Sequence, residues 1–216
     1  MTETAVLARI RLNLHNRAVQ RDLRDATEMH RTLMRLVPDG LGDSPRMRSG
    51  LLYRLDVTDN ATMLLVQAMQ PISPERLPEG YGEIEVKDLS PMFTALRAGM
   101  GVRYRITVNP VKRERLSTEQ KNKRGRILPL SGPDADQWWN RRATDAGLQL
   151  KTLLPSPLDP ASRRGKTTSA PRHSLIRYDG TATVSEPAAL ATALLAGIGR
   201  GKPYGAGLLT LAPAAT

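Results

Sequence analysis

The sequence contains no cysteine, and this absence excludes several kinds of chemistry at once. Without cysteine the chain has no disulfide bonds, no zinc sites built on thiolates and no thiol nucleophile. No apolar run approaches the roughly 20 residues that a membrane-spanning helix needs. The N-terminal residues alternate in polarity instead of forming the apolar centre of a signal peptide. We therefore expect a cytoplasmic protein that does not bind a membrane.

Aromatic and acidic residues are also scarce. One Phe, five Tyr and two Trp are few for a protein that stacks unpaired RNA bases on its sheets. The chain has 32 Lys+Arg against 21 Asp+Glu, a formal net charge of +11. Such a surplus favours a polyanionic partner, because cations near phosphates release counterions. A soluble protein from an arginine-rich proteome is the alternative interpretation.

Two stretches concentrate the positive charge. Residues 111–126 carry seven cations and two acids, and residues 162–172 carry four cations and no acid. Both are rich in Ser, Thr, Gly or Pro and are predicted to be loops. Basic clusters on loops suit a nucleic-acid groove. Because stacking residues are few, we expect a folded stem that is bound through its shape and its phosphates.

Polarity patterns predict the same arrangement twice along the chain. In the first half, alternation predicts strands at residues 5–14, 50–57, 62–69 and 82–89, and a helical period covers residues 16–37. In the second half, strands are predicted near 100–108, 148–154, 174–184 and 206–212, and helices at 133–146 and 186–197. We predict an α+β fold with two tandem ferredoxin-like (RRM-related) domains, each with an antiparallel sheet, at residues 1–90 and 100–216.

A glycine-rich loop, GIGRGKPYGAGLLTL at residues 197–211, joins the last predicted helix to the last strand. It is neither a Walker loop nor a dinucleotide fingerprint, because the spacing of its glycines fits neither pattern. Five glycines allow close approach to backbone or phosphate, and two cations lie among them. We predict that Gly199, Arg200, Gly201 and Lys202 contact a phosphate. The alternative is a helix C-cap followed by a tight connection.

Three histidines, His15, His30 and His173, are the side chains that titrate near neutral pH without perturbation. His30 has the most cationic surroundings, with Arg31 beside it and Arg35 one turn beyond. An alternative is that His30 packs in the core, since it lies on an apolar helical face. The Asp25-x-x-Glu28 pattern is typical of a helix start, which would favour a neutral imidazole.

Acidic residues give no sign of a metal site. The one tight acidic pair, Asp134 and Asp136, lies where a helix is predicted to begin, and helix capping explains it. No His, Asp or Glu cluster has the spacing of metal ligands. We therefore expect neither a metal nor another cofactor.

Four stretches resemble the CasE endoribonuclease family of type I-E Cascade complexes, part of the repeat-RNA-processing superfamily. They are the glycine-rich loop, TEMHRTLMRLVPD (27–39), RYRITVNPVKR (103–113) and SRRGK (162–166). The resemblance implies two ferredoxin-like domains that bind the repeat hairpin of precursor CRISPR RNA. It implies one cut at the 3′ base of the hairpin without a metal, and retention of the product among the other Cascade subunits.

Metal-free cleavage of RNA uses its 2′-hydroxyl as nucleophile and needs a proton-transfer group and cations. We expect His30 to transfer the proton and Arg35 to stabilise the transition state. The resemblance also implies a tyrosine three residues before the histidine, but this chain has Thr27 there. The RNA contacts are expected at Arg31, Arg103, Arg105, Lys112, Arg113, Arg163, Arg164, Lys166, Arg172, Gly199, Arg200, Gly201 and Lys202.

Two other functions remain open from the sequence. A protein of the same fold could bind the RNA hairpin without cutting it, with His30 used only for packing. A general basic protein associated with ribosomes or DNA would explain the charge without a specific site.

Overall fold

The first sheet is built on a strand whose polarity alternates, because every second side chain faces the core. In β1 (Val6–Leu12), Ala8, Ile10 and Leu12 are buried while Arg9 and Arg11 are exposed. The sheet is antiparallel, with the order β2–β3–β1–β4, where β2 is Leu52–Val57, β3 is Thr62–Ala68 and β4 is Gly82–Asp88. The computed structural model describes residues 4–114, 125–159 and 174–214.

Helices cover the apolar face of this sheet. They are α1 (Arg17–Arg24) and α2 (Ala26–Met34), while the short α3 (Pro45–Ser49) precedes β2 and adds no side chain to the apolar core of this sheet. Val19 of α1 and Met29 and Leu33 of α2 lie in one buried cluster with Ile10 and Val66 of the sheet. Burial of these side chains fixes the orientation of α2 against the sheet.

The second sheet follows a short connecting helix. In chain order its region contains α4 (Ser90–Ala95), β5 (Gly101–Val108), β6 (Val111–Arg113), β7 (Ile127–Pro129), α5 (Gly132–Asp145), β8 (Leu148–Leu150), β9 (Leu154–Pro157), β10 (Ile176–Val184), α6 (Pro187–Ala196) and β11 (Leu209–Pro213). The sheet order is β11–β5–β10–β8, and β9 also pairs with β10. Trp139 of α5 is fully buried, with its ring centroid 5.7 Å from that of Tyr104 and 6.0 Å from that of Tyr178. No described helix has the length and apolarity to cross a membrane.

The two sheets have the same topology. In each, the last strand pairs with the first, the first with the third and the third with the second, which is the order of a ferredoxin-like unit. The predicted α+β fold with antiparallel ferredoxin-like sheets is therefore confirmed. The division into domains at residues 1–90 and 100–216 stays a prediction.

Several local features differ from the sequence-based expectation. The helix predicted over residues 16–37 is two helices, because Asp25 has an extended backbone (φ −140°, ψ 106°) that ends α1 and starts α2. The break moves Leu23 out of the expected apolar face, and its side chain is exposed. Part of the basic stretch 111–126 is not a loop, since its first three residues form β6, which pairs with β7 just beyond the stretch.

A buried arginine joins the two sheets. The Arg54 side chain on β2 is almost fully buried, and its Nε and Nη2 each donate to a carboxylate oxygen of Asp56 at 2.9 Å. Its Nη1 donates to the second sheet, at 3.0 Å to the Arg105 carbonyl, 3.2 Å to the Leu208 carbonyl and 2.9 Å to Thr210 Oγ1. These directional bonds fix the position of one sheet against the other.

Removal of this guanidinium should destabilise the whole chain. We expect Arg54→Ala to lower the free energy of unfolding by about 3–5 kcal/mol, because the buried Asp56 carboxylate loses the two hydrogen bonds from Arg54 and its closest cation. The control is Arg9→Ala, since Arg9 pairs with Glu85 at 2.9 Å but both side chains are more than half exposed. Its loss should cost about 1 kcal/mol or less. Equal effects of the two variants in urea unfolding would show that the Arg54 contacts do not hold the sheets together.

Candidate active site and nucleic-acid interface

The position of His30 is set by the start of α2. The Asp25 side chain accepts a hydrogen bond from the Thr27 backbone N–H at 2.8 Å and so caps the helix. This confirms the predicted cap at Asp25, and the Glu28 side chain forms ion pairs with Arg31 and Arg21. His30 is the fifth residue of α2, and its side chain is half-buried.

The glycine-rich loop packs against the same helix. Its residues Lys202–Tyr204 form a 3₁₀ turn that contacts α2 and β2. Tyr53 of β2 is buried and donates its hydroxyl hydrogen to the carbonyl of Pro203 at 2.9 Å. The loop belongs to the second sheet by sequence, so the contact brings residues of both sheets to one place.

The glycines of the loop are required by the protein's own packing. Gly199 has φ +82°, and a Cβ atom on it would lie 2.9 Å from Cη2 of Trp138. Gly201 has φ +85° and faces Asn109 and Ala206. A side chain is disfavoured at both positions by the backbone, and at Gly199 also by the indole. The tight connection that the sequence left open is therefore present, and phosphate contact at Gly199 and Gly201 stays a prediction.

A cleft of about 340 Å³ opens where α2, α3 and the glycine-rich loop meet. It is lined by His30, Met34, Ser44, Pro45, Arg46, Met47 and Pro203. His30 is thus at the edge of the core and lines an open cleft. The pure core position that the sequence allowed as an alternative is not observed.

The electrostatic surroundings favour a neutral His30. Burial lowers the pKa of His30 below its usual 6.5, and the positive charge of Arg46 lowers it further. Nδ1 of the imidazole is buried and has no hydrogen-bond partner among the described residues. The neutral form of the imidazole, which is the form able to accept a proton, is therefore populated near neutral pH.

Arg46 is a residue of this cleft that the sequence analysis missed. It lies on α3, where its Nη1 donates to the Leu51 carbonyl at 3.5 Å. Its side chain also lines a second cleft, of about 470 Å³, together with Lys202. The one sequence signal for this arrangement was the Ser-Pro at residues 44–45, a typical helix start that would have placed Arg46 in a short helix.

The other predicted cations of α2 point elsewhere. Arg31 is exposed and forms an ion pair with Glu28. Arg35 ends α2 as its C-terminal cap, is exposed, and is not among the residues that line the cleft. Its backbone carbonyl accepts a hydrogen bond from Arg76 at 3.4 Å. A catalytic role for Arg35 stays a prediction that the cleft does not support.

Arg103 and Arg105 on β5 line a different cleft, on the face of the second sheet. Arg105 pairs with Asp179, and its Nη1 is 3.6 Å from a carboxylate oxygen of Asp56. Burial lowers the pKa of Arg105, but the hydrogen bonds and negative charges of Asp179 and Asp56 together outweigh burial, so the pKa is raised overall. Because carboxylates already neutralise this guanidinium, phosphate contact at Arg105 would require a change of partner.

The remaining predicted RNA contacts lie on the β6–β7 hairpin, in the glycine-rich loop and outside the described residues. On β6, Lys112 Nζ is 3.7 Å from an oxygen of Asp134, and Arg113 Nη1 donates to the Gly125 carbonyl at 2.8 Å. Arg200 is exposed and its backbone forms a bridge with Asn109. The contacts predicted at Arg163, Arg164, Lys166 and Arg172 lie outside the described residues.

Carboxylates and histidines do not gather into a metal site in the part of the chain that the structure describes. No group of three or more His, Asp or Glu side chains there is arranged to hold a metal ion. Asp136, one of the two acids considered as a metal pair, accepts a hydrogen bond from the Tyr178 hydroxyl at 2.9 Å.

Comparison with known protein families shows to which family this chain belongs. The family described as "CRISPR associated protein" matches residues 6–213, almost the whole chain. The chain belongs to this family. Among CRISPR-associated proteins it is similar to the endoribonuclease Cse3 of Thermus thermophilus, with 28% identity over 221 residues that cover 96% of this chain and 99% of Cse3. It is also similar to the Cascade subunit CasE of Escherichia coli K12, with 24% identity over 88% of this chain and 93% of CasE.

Solved structures of CRISPR-associated proteins share this fold. Thermus thermophilus Cse3, bound to an RNA that represents a pre-cleavage complex, has a TM-score of 0.80 at 28% identity, and the match covers 97% of this chain and all of that one. A chain of a CRISPR RNA-guided surveillance complex, pre-nicking, has a TM-score of 0.71 at 38% identity with the same coverage. The resemblance to the CasE endoribonucleases seen in the sequence is therefore confirmed.

Two glycines of this CRISPR-associated protein, Gly99 and Gly199, have the same φ angle and allow a matched test of the loop. Gly99 also has φ +82°, but a Cβ there would meet nothing within 4 Å. We expect Gly99→Ala to cost about 1–2 kcal/mol in urea unfolding, because the left-handed backbone alone is disfavoured. Gly199→Ala should cost clearly more, since Trp138 must also move. Equal losses of stability in the two variants would mean that the loop can move away from the Trp138 indole without a free-energy cost.

His30 should make the folded protein sensitive to acid. Because its pKa is lowered in the folded chain, the unfolded chain binds the proton more readily as the pH falls below 6.5. The folded state therefore loses stability in that range. We expect the free energy of unfolding to fall more between about pH 7 and about pH 5 in the wild type than in His30→Gln. Parallel pH profiles would contradict the lowered pKa.

Proposed function

We propose that this protein is a metal-independent endoribonuclease that binds the repeat hairpin of precursor CRISPR RNA and cuts it once at its 3′ base. The observation that carries the proposal is the cleft at which His30, a half-buried imidazole of lowered pKa, meets the glycine-rich loop. Similarity to the endoribonuclease Cse3 along nearly the whole chain supports the reaction class.

In the proposed reaction the 2′-hydroxyl of the nucleotide before the cut attacks the adjacent phosphorus. The new P–O2′ bond replaces the P–O5′ bond, so the products end in a 2′,3′-cyclic phosphate and a 5′-hydroxyl. His30 takes the proton of the 2′-hydroxyl or gives one to the leaving 5′-oxygen. Since Nδ1 is buried, Nε2 is the nitrogen that we assign to the RNA.

The RNA is expected to lie across the basic part of the surface. The net charge of +11 supports binding through phosphates, and the related Cse3 has been solved with RNA bound. We propose that Arg163, Arg164, Lys166 and Arg172 flank the groove of the stem. Arg31, Arg200 and Lys202 would lie near its base, where the cut is made.

The protein is also proposed to act as a subunit of a larger assembly. It is 38% identical to a chain of a CRISPR RNA-guided surveillance complex and is similar to the Cascade subunit CasE. Retention of the cleaved hairpin would anchor the guide RNA to the other Cascade subunits. We propose that this assembly acts in the cytoplasm.

The residue at position 27 is compatible with a second function, in which the protein binds the RNA hairpin without cutting it. The family tyrosine is replaced by Thr27, which has neither the reach nor the acidity of a phenol. A subunit that binds the hairpin without cutting it would tolerate this change. The two functions differ in whether the RNA is cleaved and not in whether it is bound.

Incubation of the protein with its repeat hairpin in excess EDTA tests the proposal. We expect one cut that leaves a cyclic phosphate. His30→Ala should slow the cut by about 10²–10⁴-fold, because general acid–base catalysis contributes that much, and should leave hairpin affinity within severalfold. His15→Ala is the control, since His15 is exposed and outside the cleft.

Normal cleavage by His30→Ala would disprove the assigned role of the imidazole. Tight binding of the hairpin by the wild type without any cut would favour the non-catalytic subunit. Loss of cleavage in EDTA that added metal restores would contradict metal independence.

A further inference from the structure

Arg46 occupies the wall between two clefts. On one side is the cleft of His30, and on the other is the cleft that Lys202 lines, and Arg46 and Met47 are the residues common to both. None of the residues that line either cleft is an Asp or a Glu. A guanidinium, an ammonium and an imidazole therefore share one region from which carboxylates are excluded.

The charge of Arg46 is not neutralised within the described part of the chain. Its Nη1 donates a hydrogen bond to the carbonyl of Leu51 at 3.5 Å, and it forms no ion pair with a carboxylate in the described part of the chain. Arg31 and Arg54, by contrast, are paired with Glu28 and Asp56. A guanidinium without a carboxylate partner is free to bind an anion such as a phosphate.

Arg46 connects the two basic groups, since it lines one cleft with His30 and the other with Lys202. Burial and then the charge of Arg46 lower the pKa of Lys202, and the same two causes lower that of His30. A single anion bound among these three groups would raise the pKa of both His30 and Lys202 again. The field in this region is thus complementary to a phosphate.

The backbone that carries Arg46 is firmly held. The helix α3 ends at Gly50, which has φ +62°, and a Cβ there would lie 2.5 Å from Cγ of Met69. The Met69 backbone N–H donates to the Ser49 carbonyl at 2.7 Å, so the end of α3 is tied to the end of β3. A catalytic cation needs such support, because misplacement by about 1 Å can cost 10²-fold in rate.

We propose that Arg46 is a catalytic residue that binds the non-bridging oxygens of the scissile phosphate, with Lys202 on its far side and His30 on its near side. This rests on the endoribonuclease function proposed above. As the 2′-oxygen attacks, negative charge builds on those oxygens, and a planar guanidinium can hold two of them at once. Arg46 neither gives nor takes a proton; the proton transfer belongs to His30. Arg35, which the sequence favoured for this role, lies outside the cleft.

Single-turnover cleavage of the repeat hairpin tests the assignment. Arg46→Ala should slow the cut by about 10²–10³-fold, as loss of one transition-state donor does elsewhere, with hairpin affinity within severalfold. Arg46→Lys should recover part of the rate, because lysine keeps the positive charge but lacks the planar guanidinium that can bind two oxygens at once. The matched control is Arg48→Ala on the same helix, since Arg48 is exposed and lines neither cleft; it should cut at the wild-type rate.

The pH profile of cleavage separates a catalytic role from a structural one. Removal of the cation should raise the pKa of His30, so the limb of the profile that reports His30 should move to higher pH in Arg46→Ala. This shift of the limb to higher pH is expected whether His30 acts as base or as acid. Cleavage by folded Arg46→Ala at the wild-type rate, or a slow cut with an unmoved limb, would overturn the proposal.

A measurement without RNA keeps this test independent of the proposed function. In an NMR titration, inorganic sulfate should raise the pKa of His30 in the wild type, because a bound anion stabilises the imidazolium. The rise should be much smaller in Arg46→Ala and normal in Arg48→Ala. If sulfate acts equally on all three proteins, Arg46 does not hold an anion beside His30. If the sulfate effect is present but no hairpin is cut, the anion site stands and the endoribonuclease function fails.

Discussion

The candidate active site depends on the buried guanidinium of Arg54. It is satisfied by the carboxylate of Asp56 on its own strand and by acceptors on two strands of the other sheet. Apolar burial alone would let two sheets slide against each other, because hydrophobic contact has no preferred direction. The five hydrogen bonds that the planar guanidinium of Arg54 donates prevent this sliding. These hydrogen bonds of Arg54 set the position of α2 relative to the glycine-rich loop. The shape of the cleft at His30 depends on that position.

Sequence patterns predicted the parts of the structure that depend on local periodicity. Alternation in β1 and β5 gave the strands, and the repeated order of elements gave two ferredoxin-like sheets. The break at Asp25 was missed, because the apolar period continues across it. Asp25 was nevertheless recognised as a cap, since that signal depends only on side-chain chemistry.

The candidate site was predicted less completely, because its members meet only through tertiary contacts. His30 was found from its chemistry, but nothing in residues 44–50 indicates that Arg46 turns toward it. Arg105 was chosen from its place on an alternating strand, and its pairing with Asp56 and Asp179 depends on the joint between the sheets. The glycines of the loop signalled close approach correctly. What they approach includes Trp138, which no sequence pattern relates to them.

The contact between the Tyr53 hydroxyl and the Pro203 carbonyl spans 150 residues of sequence. Contacts between residues so far apart in the sequence carry a large entropic cost, because the chain must give up much conformational freedom before they return any energy. A partly folded molecule with only the first sheet in place would carry His30 but lack the loop wall opposite it. The proposed ribonuclease activity would therefore require both sheets to be folded and joined, although His30 belongs to the first sheet alone.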